Sequence, residues 1–484
     1  MRKLLYIAIM ISLIACKDNF LEVVPLGSQV AVTTDDYDKL MNDPQYYIQS
    51  FAGGWQEPAL MEDDVAAEEP YLLQGSPQML RLFQWQDVVY QQQDQTPWAI
   101  SQWLTQLYAL NKIISEVMNS SGGTDAQKKY IRAQAIATRA WTYFQFINFY
   151  GKPYVQSTAG ADPGFPIIEH ANANEKMFTR ASVQAVYDFI INDLTDAIAE
   201  LPVKPSIRTR MSKPAAEGLL GKVYVFMGRY NDALSMFNAA FADLADSDAH
   251  LYDYNQTLAA GGAFLPMDII IGPSQGPGNN MNDLTEAVVS KVFYNGPYSG
   301  NQLGNNGLVL APWAAALYSS SDLRLQLYTD TNPDQSSNAG GRLRKYGVTY
   351  ARMDLQLPDM YLLSAECKAR LNDLAGAVAD VETLRKNRMP HADAPVPATI
   401  SADQAALIRF IFDERIREFA TEGYRWFDMR RQSVDPLFAG QVFTHTQYNA
   451  DGTVSTFTLN QPTRLVLQLP PSFITSNPGM PNNP

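Results

Sequence analysis

The sequence predicts a mainly α-helical protein, built of paired helices that recur along the chain and are interrupted by long loops and short β-hairpins. Three observations carry that expectation. Adjacent segments place apolar residues at helical spacing, one strong internal repeat has a weaker second copy, and a central stretch is rich in Gly, Asn, Pro and Ser.

At the N-terminus, Arg2-Lys3 precede an apolar run from Leu4 to Ala15. That run is shorter than the roughly 20 residues a membrane-crossing helix needs. A basic start, a short apolar core and a small residue before a cut describe an export signal. Leu13-Ile14-Ala15-Cys16 resembles the lipobox of bacterial lipoproteins, in which the cysteine becomes the acylated first residue. Residues 1–15 are therefore expected to be removed, 16–34 to form a lipidated tether, and 35–484 to fold as one domain. Composition agrees with a folded chain, at 46% hydrophobic and 18% charged residues. Asp and Glu outnumber Lys and Arg, 50 to 37, which argues against nucleic acid and against electrostatic docking on anionic lipid. Cys367 is the sole cysteine besides Cys16, so no internal disulfide forms, and it reads as a small apolar residue on a packed helix.

The first long helix runs from Trp98 to Met118 and carries Trp103, Leu107, Leu110 and Ile114 at helical spacing. Ser120-Ser121-Gly122-Gly123 breaks it. Thr124 caps a second helix through Ile131, Ala135, Thr138 and Trp141 to Tyr150, ended by Gly151-Lys152-Pro153. A third spans Ser182 to Leu201 and is closed by Pro202. Glu217 to Ala240 is the strong repeat. Leu220, Gly221, Tyr224, Ala233, Phe237 and Ala240 fall at tetratricopeptide offsets, and Gly228-Arg229-Tyr230 makes the turn. Small Gly221 and Ala233 let the two helices approach, while Tyr224 and Phe237 fill the groove between hairpins. The weaker copy runs from Tyr361 through Ala365 to Ala377, Val381 and Leu384. Helical repeats thus occupy about 98–250 and 356–430, with loop-rich insertions at about 55–98 and 255–350. Asp451-Gly452 between Val442–Tyr448 and Thr453–Leu459 signals a hairpin. Arg464 to Leu469 reads as a further strand, within a C-terminal hairpin and tail at 440–484.

Several constellations invite chemistry. Glu414, Arg415, Glu418, Glu422, Arg425, Asp428 and Arg430 could include an acid–base pair, but spacings of three and four residues favour mutual ion pairing. Glu62-Asp63-Asp64 and Glu68-Glu69 read as a solvated acidic loop and lack the alternating spacing of a calcium loop. His170, His250, His391 and His445 lie far apart, outside any metal motif. No nucleophile elbow or phosphate-cradling loop is present, so no cofactor or metal is implied.

The pieces together resemble the SusD/RagB family of Bacteroidetes surface lipoproteins. Phe20-Leu21 and Pro25 are similar to its opening. Trp103, Leu107-Tyr108 and Asn111 match its first helix. Ala135, Arg139-Ala140, Tyr143-Phe144, Tyr150-Gly151 and Pro153 match the next. Arg210-Met211-Ser212-Lys213 leads into the strong repeat, and Tyr361-Leu362-Leu363, Ala365-Glu366 and Leu384-Arg385 look like a later motif. Glu414-Arg415, Glu418, Glu422-Gly423 and Arg425-Trp426-Phe427-Asp428 are the most specific run. Leu469-Pro470-Pro471, Ile474 and Asn477-Pro478 resemble the family's close, departing from it at Pro471. The resemblance implies a helical-repeat scaffold and a lid-like role over a SusC-like TonB-dependent outer-membrane transporter. Lys17-Asp18-Asn19 is compatible with the charged signal for surface export.

A sugar offers an apolar C–H face to a flat ring and hydroxyls to amides and carboxylates. Two segments mix these residue types, Asp64 to Trp98 and Phe293 to Trp313. Trp85, Trp98, Tyr294, Tyr298 and Trp313 are the expected stacking platforms, and Asp64, Arg81 and Asn295 the expected polar contacts. The expectation is a non-enzymatic, lipid-anchored glycan-binding protein that delivers an oligosaccharide to its transporter. Capture of peptides or glycopeptides is the alternative, then a surface glycoside hydrolase using Asp63 or Asp64, with a pure protein-binding scaffold as a third rival.

Overall fold

The computed structural model describes residues 31–50, 57–73, 77–91, 98–294, 307–332, 335–346, 349–353 and 355–484. Cys16 and the whole N-terminal signal lie outside them. Nine helices of the described residues carry the scaffold: α1 (Trp98–Glu116), α2 (Asp125–Tyr150), α3 (Val183–Ile198), α4 (Lys213–Phe226), α5 (Tyr230–Leu244), α6 (Leu357–Arg370), α7 (Leu374–Lys386), α8 (Gln404–Phe419) and α9 (Tyr424–Gln432). Each packs on the next in sequence, and α5 seats directly on α6. The chain between those two is therefore an excursion from an otherwise continuous stack. None of the described helices is long and apolar enough to cross a membrane.

The local signals work as the sequence suggests. Thr124 and Gln127 form a reciprocal capping box at the start of α2, with the Thr124 amide donating to the Gln127 side chain at 2.8 Å. Ser182 and Ser212 cap α3 and α4 through the amides of Ala185 and Ala215. Gly221 needs to be glycine, because a Cβ there would stand 2.8 Å from the Phe237 ring of α5. Phe237 is buried, whereas Tyr224 is only half-buried, with the Arg229 guanidinium 4.3 Å above its ring. Helix α2 is buried almost all round from Ile131 to Tyr150, the pattern of a central helix. Its one buried guanidinium, Arg139, forks onto both Asp193 oxygens at 2.8 Å and onto Asn111 at 2.9 Å, tying α1, α2 and α3 together.

The stereotyped charge run is a buried network. Glu414 receives Arg324, Arg385 and Arg417 at 2.7 to 2.8 Å, and Arg415 bridges Asp359 and Asp428 at 2.8 and 2.6 Å. Glu418 pairs with Arg388 and Arg324. These carboxylates hold helices and the excursion together and leave no acid–base pair facing solvent. Cys367 is fully buried, and burial raises its thiol pKa, consistent with an apolar packing role.

Besides three two-stranded pairings within the excursion and at its edge, the described residues form two larger sheets. One joins β1 (Ile48–Ser50), β3 (Val292–Tyr294) and β5 (Tyr350–Arg352), with β3 parallel to β1 and antiparallel to β5. The other runs β7–β6–β2–β4, from β2 (Val65–Glu68), β4 (Leu308–Leu310), β6 (Thr444–Tyr448) and β7 (Val454–Thr458). The hairpin β6–β7 is the one Asp451-Gly452 signals. The expected strand at Arg464–Leu469 is a correction: the chain makes a single 3-10 turn, Thr463–Leu465, after a cis Gln461–Pro462 bond, with the Leu467 amide bonded to the Phe149 carbonyl. The segment 55–98 is also less loop-like than expected, since its described residues include β2 and a helix at Pro77–Phe83.

Candidate functional site

The second sheet gathers the site from remote parts of the chain. Val65 pairs with Leu310, and the Ala311 amide donates to the Asp64 carbonyl at 2.8 Å. This register lays Asp63 beside the short helix Pro312–Ala315, which carries Trp313. The Trp313 indole N–H donates to the Asp63 carbonyl at 3.2 Å, while 41% of the residue stays exposed. It borders an open cleft of about 620 Å³, walled by Arg409 and Asp413 of α8, Arg425 and Gln432 of α9, and the segment Leu437–Val442. Phe412, Ile416 and Phe438 supply its apolar lining.

The Trp313 wall is held from behind. Arg425 lies with its guanidinium carbon 5.9 Å from the Trp313 ring centre, donates to Asp63 at 2.7 Å and to Gln432 at 2.7 Å. Glu62 accepts the amides of Gly423 and Arg425 at 3.0 and 3.2 Å, satisfying the first turn of α9. Gly423 has φ 86°, a left-handed value that glycine adopts without strain. Arg409 donates to the Leu437 carbonyl and covers the Phe438 ring at 5.0 Å. Asp413 is half-buried in the cleft wall, and among the described residues its carboxylate receives no hydrogen bond and joins no ion pair. Burial pushes its pKa up, opposed by the charges of Arg417, Arg425 and Arg409.

Trp313 is the one predicted platform whose described side chain reaches a surface cleft. Three predicted contacts are corrected by burial. Trp85 is 7% exposed and turns inward, its indole N–H on the Met61 carbonyl at 3.0 Å. Arg81 is buried and donates to the Val89 carbonyl at 2.7 Å. Asp64 has no exposed surface, and among the described residues neither carboxylate oxygen has a hydrogen-bond partner. Burial first, then the neighbouring Asp63 charge, pushes its pKa up to about 8. The solvated acidic loop expected at Glu62-Asp63-Asp64 and Glu68 is thus interior, because the sheet and α9 close over it. Trp98 opens α1 and Tyr294 ends β3, but their side chains fall outside the description, as do Asn295 and Tyr298 entirely. Arg409, Asp413 and Gln432 were not among the expected contacts. Asp413 adjoins the recognisable Glu414-Arg415 pair, and its one signal is a helical position turned away from that network.

Other depressions are less suited to a ring-bearing polar ligand. A groove of about 660 Å³ around Val203, Ile207 and Asp283 has no Phe, Tyr or Trp in its lining. A smaller cavity of about 120 Å³ has aromatic walls, but its Lys345, Glu422, Arg324 and Glu418 pair with protein partners.

Comparison with known proteins agrees with this architecture. Residues 19–225 match the SusD-like family model described as starch-binding associating with outer membrane, and residues 337–484 match the SusD family model. The SusD-like protein P2 of Formosa agariphila is 23% identical over 435 residues, covering 80% of each chain. A SusD superfamily protein from Bacteroides thetaiotaomicron superposes with TM-score 0.71 at 18% identity, over 94% of this chain and all of its own. A SusD-like carbohydrate binding protein from Bacteroides vulgatus gives TM-score 0.64 at 15% identity, over 88% of this chain and 89% of its own. At such identities the structural likeness speaks for the fold. Two family models matched in chain order, on a helical stack shared along nearly the whole length, make this chain a member of the SusD/RagB family.

Proposed function

We propose that this protein captures a glycan in the Trp313 cleft and passes it, chemically unchanged, to a SusC-like TonB-dependent transporter, while acylated Cys16 anchors it to the outer membrane facing outward. The observation that carries the reading is the exposed Trp313 ring in an open cleft of about 620 Å³ that also holds the Asp413 carboxylate, unpaired among the described residues. A flat ring stacks on the C–H face of a pyranose, and buried stacking contacts contribute on the order of 1 kcal/mol each. The matched family models and the carbohydrate-binding relative support the ligand class. The non-catalytic reading is supported by the carboxylates. Asp64 is sealed in, Asp63 is spent on Arg425, and Asp413 is a single free carboxylate where glycoside hydrolysis ordinarily uses a pair.

Retardation of the mature chain in native gels containing plant, fungal and algal polysaccharides tests the proposal. Retardation that Trp313→Ala abolishes, without release of reducing ends, is the expected result. Retardation unaffected by Trp313→Ala would remove the cleft from the reading, and reducing-end release would make the protein a hydrolase.

A further inference from the structure

We infer that the Trp313 cleft discriminates by charge: it takes neutral sugars and rejects acidic ones, with Asp413 as the specificity-determining acceptor. This rests on the glycan reading above and goes further by naming the ligand's chemistry.

The argument turns on which groups in the cleft are still available. Three guanidiniums stand near Asp413, and each has protein partners. Arg425 is held by Asp63 and Gln432, and Arg417 by Glu414 and the Leu317 carbonyl. Arg409 gives one hydrogen bond, to the Leu437 carbonyl over the Phe438 ring, and stands exposed without a carboxylate partner among the described residues. The neighbouring Glu414 is saturated by three arginines of its own. Asp413 alone keeps two acceptor oxygens without a protein donor. An ionised carboxylate only accepts hydrogen bonds, and its two oxygens match a pair of neighbouring hydroxyls. A neutral pyranose brings those hydroxyls next to the face that stacks on Trp313. A uronate or sulfate ester seated at Asp413 brings more acceptors and a like charge against that carboxylate.

Calorimetry with neutral probes (cello-, malto-, manno- and xylohexaose) and acidic probes (hexagalacturonate and a sulfated carrageenan hexasaccharide) tests the inference. The chain is compared with Asp413→Asn, Asp413→Ala and Trp313→Ala, each checked by thermal melting. Expected is binding of at least one neutral probe and no acidic one, with about tenfold weaker neutral binding in Asp413→Asn, the scale of one lost charged hydrogen bond. Acidic probes should gain affinity in Asp413→Asn and Asp413→Ala. Acidic binding as tight as neutral binding in the parent, or neutral affinity unchanged in both Asp413 variants, overturns the inference while leaving the glycan reading intact if Trp313→Ala still abolishes binding. Absence of binding by every probe overturns both.

Discussion

The Trp85 indole stacks on the His445 imidazole, ring centres 3.8 Å apart and planes 16° from parallel, and Phe83 closes the other side at 4.3 Å and 4°. A residue whose type and loop-like setting suggest a sugar platform is instead one slice of an aromatic sandwich under β6. Its flat face is already occupied.

Trp85→Ala should therefore cost stability and leave ligand affinity alone. Removing a buried tryptophan ring ordinarily costs about 3–5 kcal/mol. Denaturant unfolding should show that loss, and calorimetry on the folded variant should match the parent. A binding defect with unchanged stability would return Trp85 to the site.

His445 presents both ring nitrogens to carbonyl oxygens, Phe83 and Glu62, each at 2.6 Å. Burial drags its pKa down toward about 4. A neutral ring has one N–H, which it donates to one of the two carbonyls. Nitrogen-15 spectra at pH 7 should show one protonated and one unprotonated ring nitrogen, and two protonated nitrogens would refute this. With the folded pKa below the unfolded value of about 6.5, the contribution is complete above that pH and fades as pH falls toward about 4.

Asp64 works in the opposite direction. Its carboxyl holds a proton in the fold up to about pH 8 but releases it near 3.8 when unfolded. The native state binds more protons across that interval, so stability falls as pH rises from about 4 to 8. Asp64→Asn should melt above the parent at pH 8, by on the order of a few kcal/mol, with the difference closing near pH 4. A variant that melts lower at pH 8 would mean that Asp64 is ionised and paired.

Glu414 has the opposite sign. Burial raises its pKa, but Arg324, Arg417 and Arg385 outweigh burial and hold it at about 2, against 4.5 when unfolded. Its contribution is present above about pH 4.5 and lost as pH falls toward 2. Glu414→Gln leaves the buried Arg324 and Arg385 and the half-buried Arg417 short of a counter-charge, and breaking such a network costs about 3–5 kcal/mol. Urea midpoints at pH 7 and pH 3 should converge for parent and variant, and equal midpoints at pH 7 would dismiss the network as a source of stability.

What was legible in the chain was local. Thr124 with Gln127 marks a helix start within four residues, Gly221 and Phe237 mark a helix pair within one repeat, and Glu414 to Asp428 announces its pairing by spacing. What stayed hidden depends on contacts across hundreds of residues. Glu62 reads as a solvated loop acid because its partner, the Gly423 amide, lies 361 positions away. Trp313 and Asp63 meet only when β2 and β4 pair, and Asp413 gains meaning only once the nearby arginines are seen to bond other groups. Trp85 and Trp313 share a residue type and a loop-like setting, and only the packing of β6 separates an interior ring from a surface one.

Because α5 rests directly on α6, the long excursion leaves the helical stack and re-enters it at neighbouring points. Chain can be added to it or taken from it without opening a gap in the stack. Such an arrangement uncouples two rates of change. Descendants of one ancestral scaffold could remodel the surface around Trp313 for a new nutrient while inheriting the same load of buried helix contacts.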